Sequence, residues 1–227
     1  MDIIKLTLPI INRTKIASDT LEVQFGLEGK LFPFTAGQSL RVCVPTFCAE
    51  DKRGCVREFS ICSSPNNKDV LTIAFRMSNS VCKQVLQSAS VGTLVKITGP
   101  FGRFTLPTSS KKQMVFLASG IGITPFLSMM RYASETHLNE TIVLLYYNRS
   151  VSRSCYVDEI TDLEKKNSQI TACFIDDVFD ESLFHKYLNS VWFVCGTPKS
   201  VVKMRAMLLQ LGVEDRYIKF EEFSGYL

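Results

Sequence analysis

One decapeptide constrains this chain more than any other: Leu117-Ala118-Ser119-Gly120-Ile121-Gly122-Ile123-Thr124-Pro125-Phe126, a glycine loop between an apolar run and a segment opened by proline. The run before it, Met114-Val115-Phe116-Leu117, suits a parallel strand covered on both faces. After it, Thr124 is placed to cap a helix, and Pro125 sits in the first turn, where a missing N–H costs nothing. Gly120 and Gly122 remove side chains where a pyrophosphate or a nicotinamide needs close approach to backbone. A strand, a glycine loop and a helix in that order predict an α/β unit that binds a nucleotide at its strand ends.

A second motif, Arg57-Glu58-Phe59-Ser60-Ile61-Cys62-Ser63-Ser64-Pro65, lies well upstream on a predicted strand. Residues two apart share a strand face, so Arg57 and Phe59 point together and Ser60 turns the other way. A flavin asks for a cation at its phosphates, a flat surface for its ring and a donor near N5, and these residue types supply all three. Read alone, the same residues also fit a surface ion pair, a core ring and a turn serine.

With both motifs in hand, the sequence resembles the ferredoxin–NADP reductase-like flavoenzymes. Arg57-Glu58-Phe59-Ser60 is similar to that family's Arg-x-Tyr-Ser flavin motif, and Gly99-Pro100-Phe101-Gly102 to its Gly-Pro-x-Gly turn. Gly120-x-Gly122-x-x-Pro125 resembles its nicotinamide loop, and Cys195-Gly196-Thr197-Pro198 its Cys-Gly-x-Pro motif. Glu221-Glu222-Phe223-Ser224-Gly225-Tyr226 resembles the tail that closes over the flavin in several bacterial members. The motifs occur in the family's order across nearly the whole chain.

The resemblance implies two domains: an antiparallel FAD-binding β-barrel over residues 1–108, and a parallel-sheet α/β domain for NAD(P)H over residues 109–227, whose tail returns toward the flavin. Independent signals agree. Thr20-Leu21-Glu22-Val23-Gln24-Phe25 and Leu71-Thr72-Ile73-Ala74-Phe75-Arg76 alternate as barrel strands do. A helix is expected at about residues 80–88, capped by Ser80, with Val81, Val85 and Leu86 on its buried face. The polar stretch Pro107-Thr108-Ser109-Ser110-Lys111-Lys112 marks the boundary. Beyond it, apolar runs at residues 114–117, 141–147, 170–174 and 191–195 alternate with helix-length segments.

Carried over residue by residue, the resemblance gives Arg57 the flavin phosphate, Phe59 the isoalloxazine and Ser60 the N5 region. Phe59 stands where the family has Tyr, which keeps the stacking and loses a hydroxyl contact to the ribityl chain. Ser63 completes the motif, while Arg76, Ser78 and Ser80 fall where the second phosphate and the adenosine of FAD are bound. Gly120, Gly122, Thr124, Pro125, Cys195, Gly196, Thr197 and Pro198 are assigned to the nicotinamide nucleotide, and Phe223 to the flavin. Asn148 and Arg149, with Arg153 behind them, end a strand where NAD-preferring folds place an acid, so a 2′-phosphate and NADPH are favoured over NADH. The catalytic candidates are Ser60, Cys195 as an orienting residue, and Glu222. Glu221 and Glu222 alternate faces, so only one of them turns inward.

Composition narrows the remaining classes. At 227 residues with 46% apolar and 21% charged side chains, the chain can bury two modest cores. A net charge of +4 from scattered Lys and Arg argues against a nucleic-acid arm and is compatible with an acidic protein partner. No signal-like segment or membrane span is read, which predicts a cytoplasmic protein. The cysteines at 43, 48, 55, 62, 82, 155, 173 and 195 contain no Cys-x-x-Cys, and they are expected as reduced, mostly buried thiols with no metal. The reading is therefore a flavin reductase that passes hydride from NAD(P)H to FAD and then single electrons to an external acceptor protein. A small acidic redox protein such as ferredoxin or flavodoxin is the acceptor implied. An electron-transfer subunit of a larger oxidoreductase complex, or a non-enzymatic flavin-binding interaction protein, fits the same residues.

Overall fold

A computed structural model describes residues 2–44, 55–107, 110, 112–150, 153–176 and 182–223. Six antiparallel strands form the first half: β1 (Ile4–Ala17), β2 (Thr20–Gly26), β3 (Ser39–Cys43), β4 (Val56–Ser60), β5 (Val70–Arg76) and β6 (Leu94–Phe101), in the order β4-β3-β6-β1-β2-β5. The long β1 makes the sheet curl. Its first part pairs with β6 from Ile4↔Gly99 to Pro9↔Leu94, and its second part pairs with β2 from Ile10↔Phe25, with a register shift between Ile10 and Asn12. A strand that changes partners at an irregularity bends the sheet toward closure. An isolated bridge between Ile61, just past β4, and Ile73 of β5 joins the two ends, giving the expected barrel. Leu8, Val23, Phe25, Leu40, Val42, Ile73 and Phe75 fill its interior.

Helix α1 (Val81–Ser88) packs beside the barrel, capped by Ser80, whose hydroxyl accepts from the Lys83 amide at 3.4 Å. Its buried residues are Cys82, Lys83 and Leu86. The expected stripe is thus rotated by one position, with Val85 at its margin, because the Cys82 thiol turns toward the Val42 carbonyl at 3.8 Å.

The second half is a parallel sheet. Strands β7 (Met114–Ser119), β8 (Ile142–Asn148), β9 (Ile170–Asp176), β10 (Val191–Gly196) and β11 (Ile218–Glu222) lie in the order β11-β10-β7-β8-β9. Between them run α2 (Ile123–Glu135), α3 (Val157–Lys166), α4 (Ser182–His185) and α5 (Pro198–Gln210). The chain builds outward from β7 to β9, then crosses back to β10 and β11. That reversal puts a topological switch point between β7 and β10, where α/β sheets open a crevice for ligands. The segment read from sequence as a returning tail begins as β11, a fifth strand paired in parallel with β10 from Trp192↔Ile218 to Gly196↔Glu222. The boundary expected at 108/109 lies outside the described residues.

The two halves share a buried face. Ala36, Cys62, Ala74, Phe104 and Leu106 belong to the same apolar cluster as Phe126 and Met129 of α2. Polar ties flank it: Ser128 Oγ donates to the Ser63 carbonyl at 2.7 Å, Arg131 Nη1 to the Cys62 carbonyl at 2.8 Å, and the Tyr156 hydroxyl to Glu22 at 2.7 Å. Burial of this surface, about 25 cal/mol per Å² of apolar area, fixes how the barrel faces the sheet.

Cys43, Cys62, Cys82, Cys155, Cys173 and Cys195 are thiols, as expected, but Cys55 is disulfide-bonded. Pairing depends on the approach of two Cα atoms in space, which cysteine spacing alone does not report. Among the described residues no helix is long and apolar enough to cross a membrane.

Candidate cofactor sites

Where the barrel meets the sheet, a cavity of about 420 Å³ opens. Its walls come from three directions. Arg57, Phe59 and Ser60 of β4 form one, Ser78, Ser80 and Lys83 at the start of α1 another, and Ile121 and Thr124 with Glu221, Glu222 and Phe223 the third. β4 ends the sheet order, so its outer edge is open, and consecutive residues of this one strand line the cavity. Phe59 is 6% exposed and packs against Phe75, ring centroids 5.3 Å apart, leaving one edge at the cavity wall. The half-buried Arg57 reaches the same cavity, and its Nη1 donates to the Val56 carbonyl at 2.8 Å. A cationic wall, an aromatic edge and hydroxyls around one chamber suit the phosphates and ring of FAD.

Where the first wall meets the third, Ser60 Oγ donates to Glu221 Oε1 at 3.4 Å. Burial raises the Glu221 carboxyl to about 7, partly offset by the Ser60 hydrogen bond. Of the two adjacent acids, Glu221 therefore turns inward. Glu222, the one expected to do so, is exposed at the cavity rim. The reason is register: Glu221 lies opposite Cys195 in the β10–β11 pairing, and alternation sends Glu222 outward.

The crevice at the switch point is built differently. Gly120 adopts φ +56° within a 3₁₀ turn, a conformation that favours glycine. A Cβ on Gly122 would lie 2.2 Å from the Cys195 carbonyl oxygen. Gly122 thus lets the loop after β7 press onto the end of β10, a requirement of chain against chain rather than only of chain against ligand. Cys195 is fully buried, and burial, with the Glu221 charge beside it, holds its thiol protonated. Gly196 ends β10, Thr197 caps α5 by accepting from the Ser200 amide at 3.4 Å, and Pro198 occupies the first turn. Ser119 and Thr197 both bond Ser200, at 3.2 and 2.9 Å, a hydroxyl chain across the crevice. The Phe223 amide donates to the Gly196 carbonyl at 2.9 Å, bringing the residue after β11 beside the same place. Of the motif's remaining residues, Ser224, Gly225 and Tyr226 lie outside the described residues.

Other expected site residues have different positions. Thr124 lies inside α2 rather than at its cap, and its hydroxyl donates back to the Ile121 carbonyl at 3.0 Å, because Gly122 already occupies the cap. Pro125 is buried in the first turn of α2, as read. The Ser63 hydroxyl accepts from the Thr72 amide at 3.1 Å and faces a second groove on the far side of the junction, not the cavity. Arg76 Nη1 pairs with Asp19 at 2.7 Å, and Arg153 Nη2 reaches the same carboxylate at 3.3 Å. The Arg76 guanidinium also fills the space beside Gly120, where a Cβ would stand 2.7 Å from Nη2. These two cations link the halves instead of lining the cavity, since both lie nearer to Asp19 than the sequence order suggests. At the end of β8, Asn148 is 3% exposed with neither amide atom in a good hydrogen bond, and Arg149 beside it is exposed.

Sequence reading overlooked Lys83 and ranked Glu221 second. Lys83 looks in sequence like any solvated helix cation, and only its parity with Cys82 and Leu86 on a short helix could have hinted at burial.

Residues 7–106 match the family model described as an oxidoreductase FAD-binding domain, and residues 116–182 the oxidoreductase NAD-binding domain. The chain belongs to the ferredoxin–NADP reductase-like family. It carries that family's FAD-binding and nicotinamide-binding domains, NADH and NADPH both being allowed. This family member is 31% identical over 168 residues to the phthalate 4,5-dioxygenase oxygenase reductase subunit of Pseudomonas putida, covering 72% of this chain and 49% of that one. It is 26% identical over 220 residues to the propane 2-monooxygenase reductase component of a Gordonia species, covering 88% and 62%. It shares the fold of the cytochrome P450 reductase of Amycolatopsis with a TM-score of 0.83 at 22% identity, over 97% of this chain and 70% of that one. The reductase-like chain spans between 49% and 62% of the length of the first curated relatives it matches.

Proposed function

We propose that this protein is a flavin-dependent reductase that takes hydride from NAD(P)H and delivers single electrons to an external acceptor protein. One observation carries this reading: Ile121 of the glycine loop and Thr124 of the helix that follows line the same cavity as Arg57, Phe59 and Ser60. A ring held at Phe59 and a ring held over Gly120–Gly122 therefore share one chamber, which is what hydride transfer asks of a scaffold.

FAD, when bound, supplies the exchange between a two-electron donor and a one-electron acceptor. The protein's own residues do the rest. Arg57, Ser78 and Ser80 hold phosphate; Phe59 sets the ring plane; Ser60 Oγ points its one proton at Glu221 while that carboxyl is charged, and turns it toward the ring when Glu221 is protonated and donates to Ser60 instead. Glu221, titrating at about 7, holds a proton at Oε within reach of Ser60 and can release it when the local charge changes. Cys195, kept as a buried thiol, fixes the floor of the crevice and acts as neither nucleophile nor base. Phe223 lines the chamber on the side of the glycine loop and narrows the space open to water there.

For the nucleotide, Arg149 favours NADPH through its 2′-phosphate, and Arg153 contributes less because Asp19 holds it. For the acceptor, a small acidic redox protein fits the net charge of +4. A second reading, an electron-transfer subunit of a larger oxidoreductase, is favoured by the relatives named as a reductase component and a reductase subunit.

The test is anaerobic stopped-flow mixing of the yellow protein with NADPH and, separately, NADH. Rapid bleaching of the flavin band, faster with NADPH, supports the reductase reading. A flavin that stays oxidised with both nucleotides sinks it in favour of a binding module. Capture of small acidic redox proteins from the source lysate, followed by their reduction in the presence of NADPH, then separates a free acceptor from a fixed complex.

A further inference from the structure

Lys83 has no role in the reading above, yet it is 8% exposed, in the first turn of α1, and lines the same cavity as Arg57. A cation there opposes the helix dipole, which favours negative charge near an N-terminus. Its position is nonetheless fixed. Nζ donates to the Arg76 carbonyl at 3.1 Å and lies 5.7 Å from the centre of the Phe75 ring, which in turn packs on Phe59. Phe59, Phe75 and Lys83 thus follow one another along the cavity wall. Ser78 and Ser80 place hydroxyls on the same stretch of wall, and Arg57 closes it from β4.

We propose that Lys83 is a second cation of the flavin phosphate clamp, gripping the pyrophosphate of FAD together with Arg57. The role rests on FAD binding by this domain. Two like charges on one buried wall repel, and an anion between them turns the repulsion into attraction for both. The electrostatics agree: burial, and then the Arg57 charge, bring the Lys83 ammonium down to about 8, with Cys82 acting weakly the other way. Lys83 is a positioning and affinity residue, not a catalytic one.

The experiment titrates flavin-free protein with FAD, FMN and riboflavin, following the quenching of flavin fluorescence. Lys83→Met should weaken FAD and FMN by about ten- to a hundredfold, the loss of one charge-assisted hydrogen bond, and leave riboflavin within about twofold. Lys83→Arg, which keeps the charge, should recover most of the FAD affinity. Equal weakening of riboflavin would make Lys83 a packing residue, and unchanged FAD binding would remove it from the site; either result overturns the proposal. If Lys83→Met does not fold, Lys83→Gln carries the same expectation with a shorter stem. Failure of the wild type to bind any of the three flavins would fault the flavin reading itself, not Lys83.

Discussion

The two halves of the chamber solve different problems. The barrel side is an open, charged pocket, with Arg57, Lys83 and serine hydroxyls on its walls and the largely buried Phe59 ring behind them. The sheet side is filled by the protein's own atoms: the Cys195 carbonyl occupies the place of a Gly122 Cβ, Cys195 is fully buried, and the Phe223 amide bonds Gly196. A preformed charged pocket suits a cofactor that stays, whereas a crevice filled largely by the protein's own backbone suits a ligand that enters and leaves. The difference teaches that glycines in a nucleotide loop can be required by the fold before they are required by the ligand.

The comparison is broken most directly at Gly122. Gly122→Ala should lower stability by about 3–5 kcal/mol, read by urea denaturation, because backbone on β10 must give way. A variant with unchanged stability and weakened nucleotide binding would show that ligand approach, not chain packing, sets that position.

Next in size is Glu221, the half-buried carboxyl between the halves. Its folded value of about 7 lies above its ordinary value of 4.5, so the native state holds the extra proton. The stabilisation is fully present below 4.5 and is lost as pH rises through 7, about 3 kcal/mol in all. Glu221→Gln should flatten the stability profile over that window relative to wild type, and Glu222→Gln should not. Parallel profiles for wild type and Glu221→Gln would mean the carboxyl is solvated in the native state.

Arg57→Ala tests the open side. FAD affinity should fall by about ten- to a hundredfold, with thermal stability of the flavin-free protein nearly unchanged. Retention of stoichiometric flavin after gel filtration and dilution would remove Arg57 from the phosphates.

Arg149 should give the smallest effect, since an exposed charge acts through water. Arg149→Ala is expected to raise the NADPH KM by about two- to fivefold and leave the NADH KM alone. Equal use of both nucleotides by the wild type would make Arg149 a solvated loop residue.

Much of this was legible in the sequence. Alternation placed β2 and β5, apolar runs placed β7 to β10, and the residues Arg57, Phe59, Ser60, Ser78 and Ser80 picked out by the motifs line one cavity. Strand period and turn chemistry are local, so sequence reports them. What sequence could not give were choices made by distant partners. The inward turn of Glu221 follows from pairing with Cys195; the capture of Arg76 and Arg153 follows from Asp19, which the fold carries to them; the burial of Lys83 follows from how α1 lies on the barrel. Each is a contest between burial, charge and register that only the packed chain can decide, because the energies involved belong to pairs of residues far apart along it. The sequence by itself determined which elements form and which chemistry they carry, and the tertiary structure decided which side chains face the chamber.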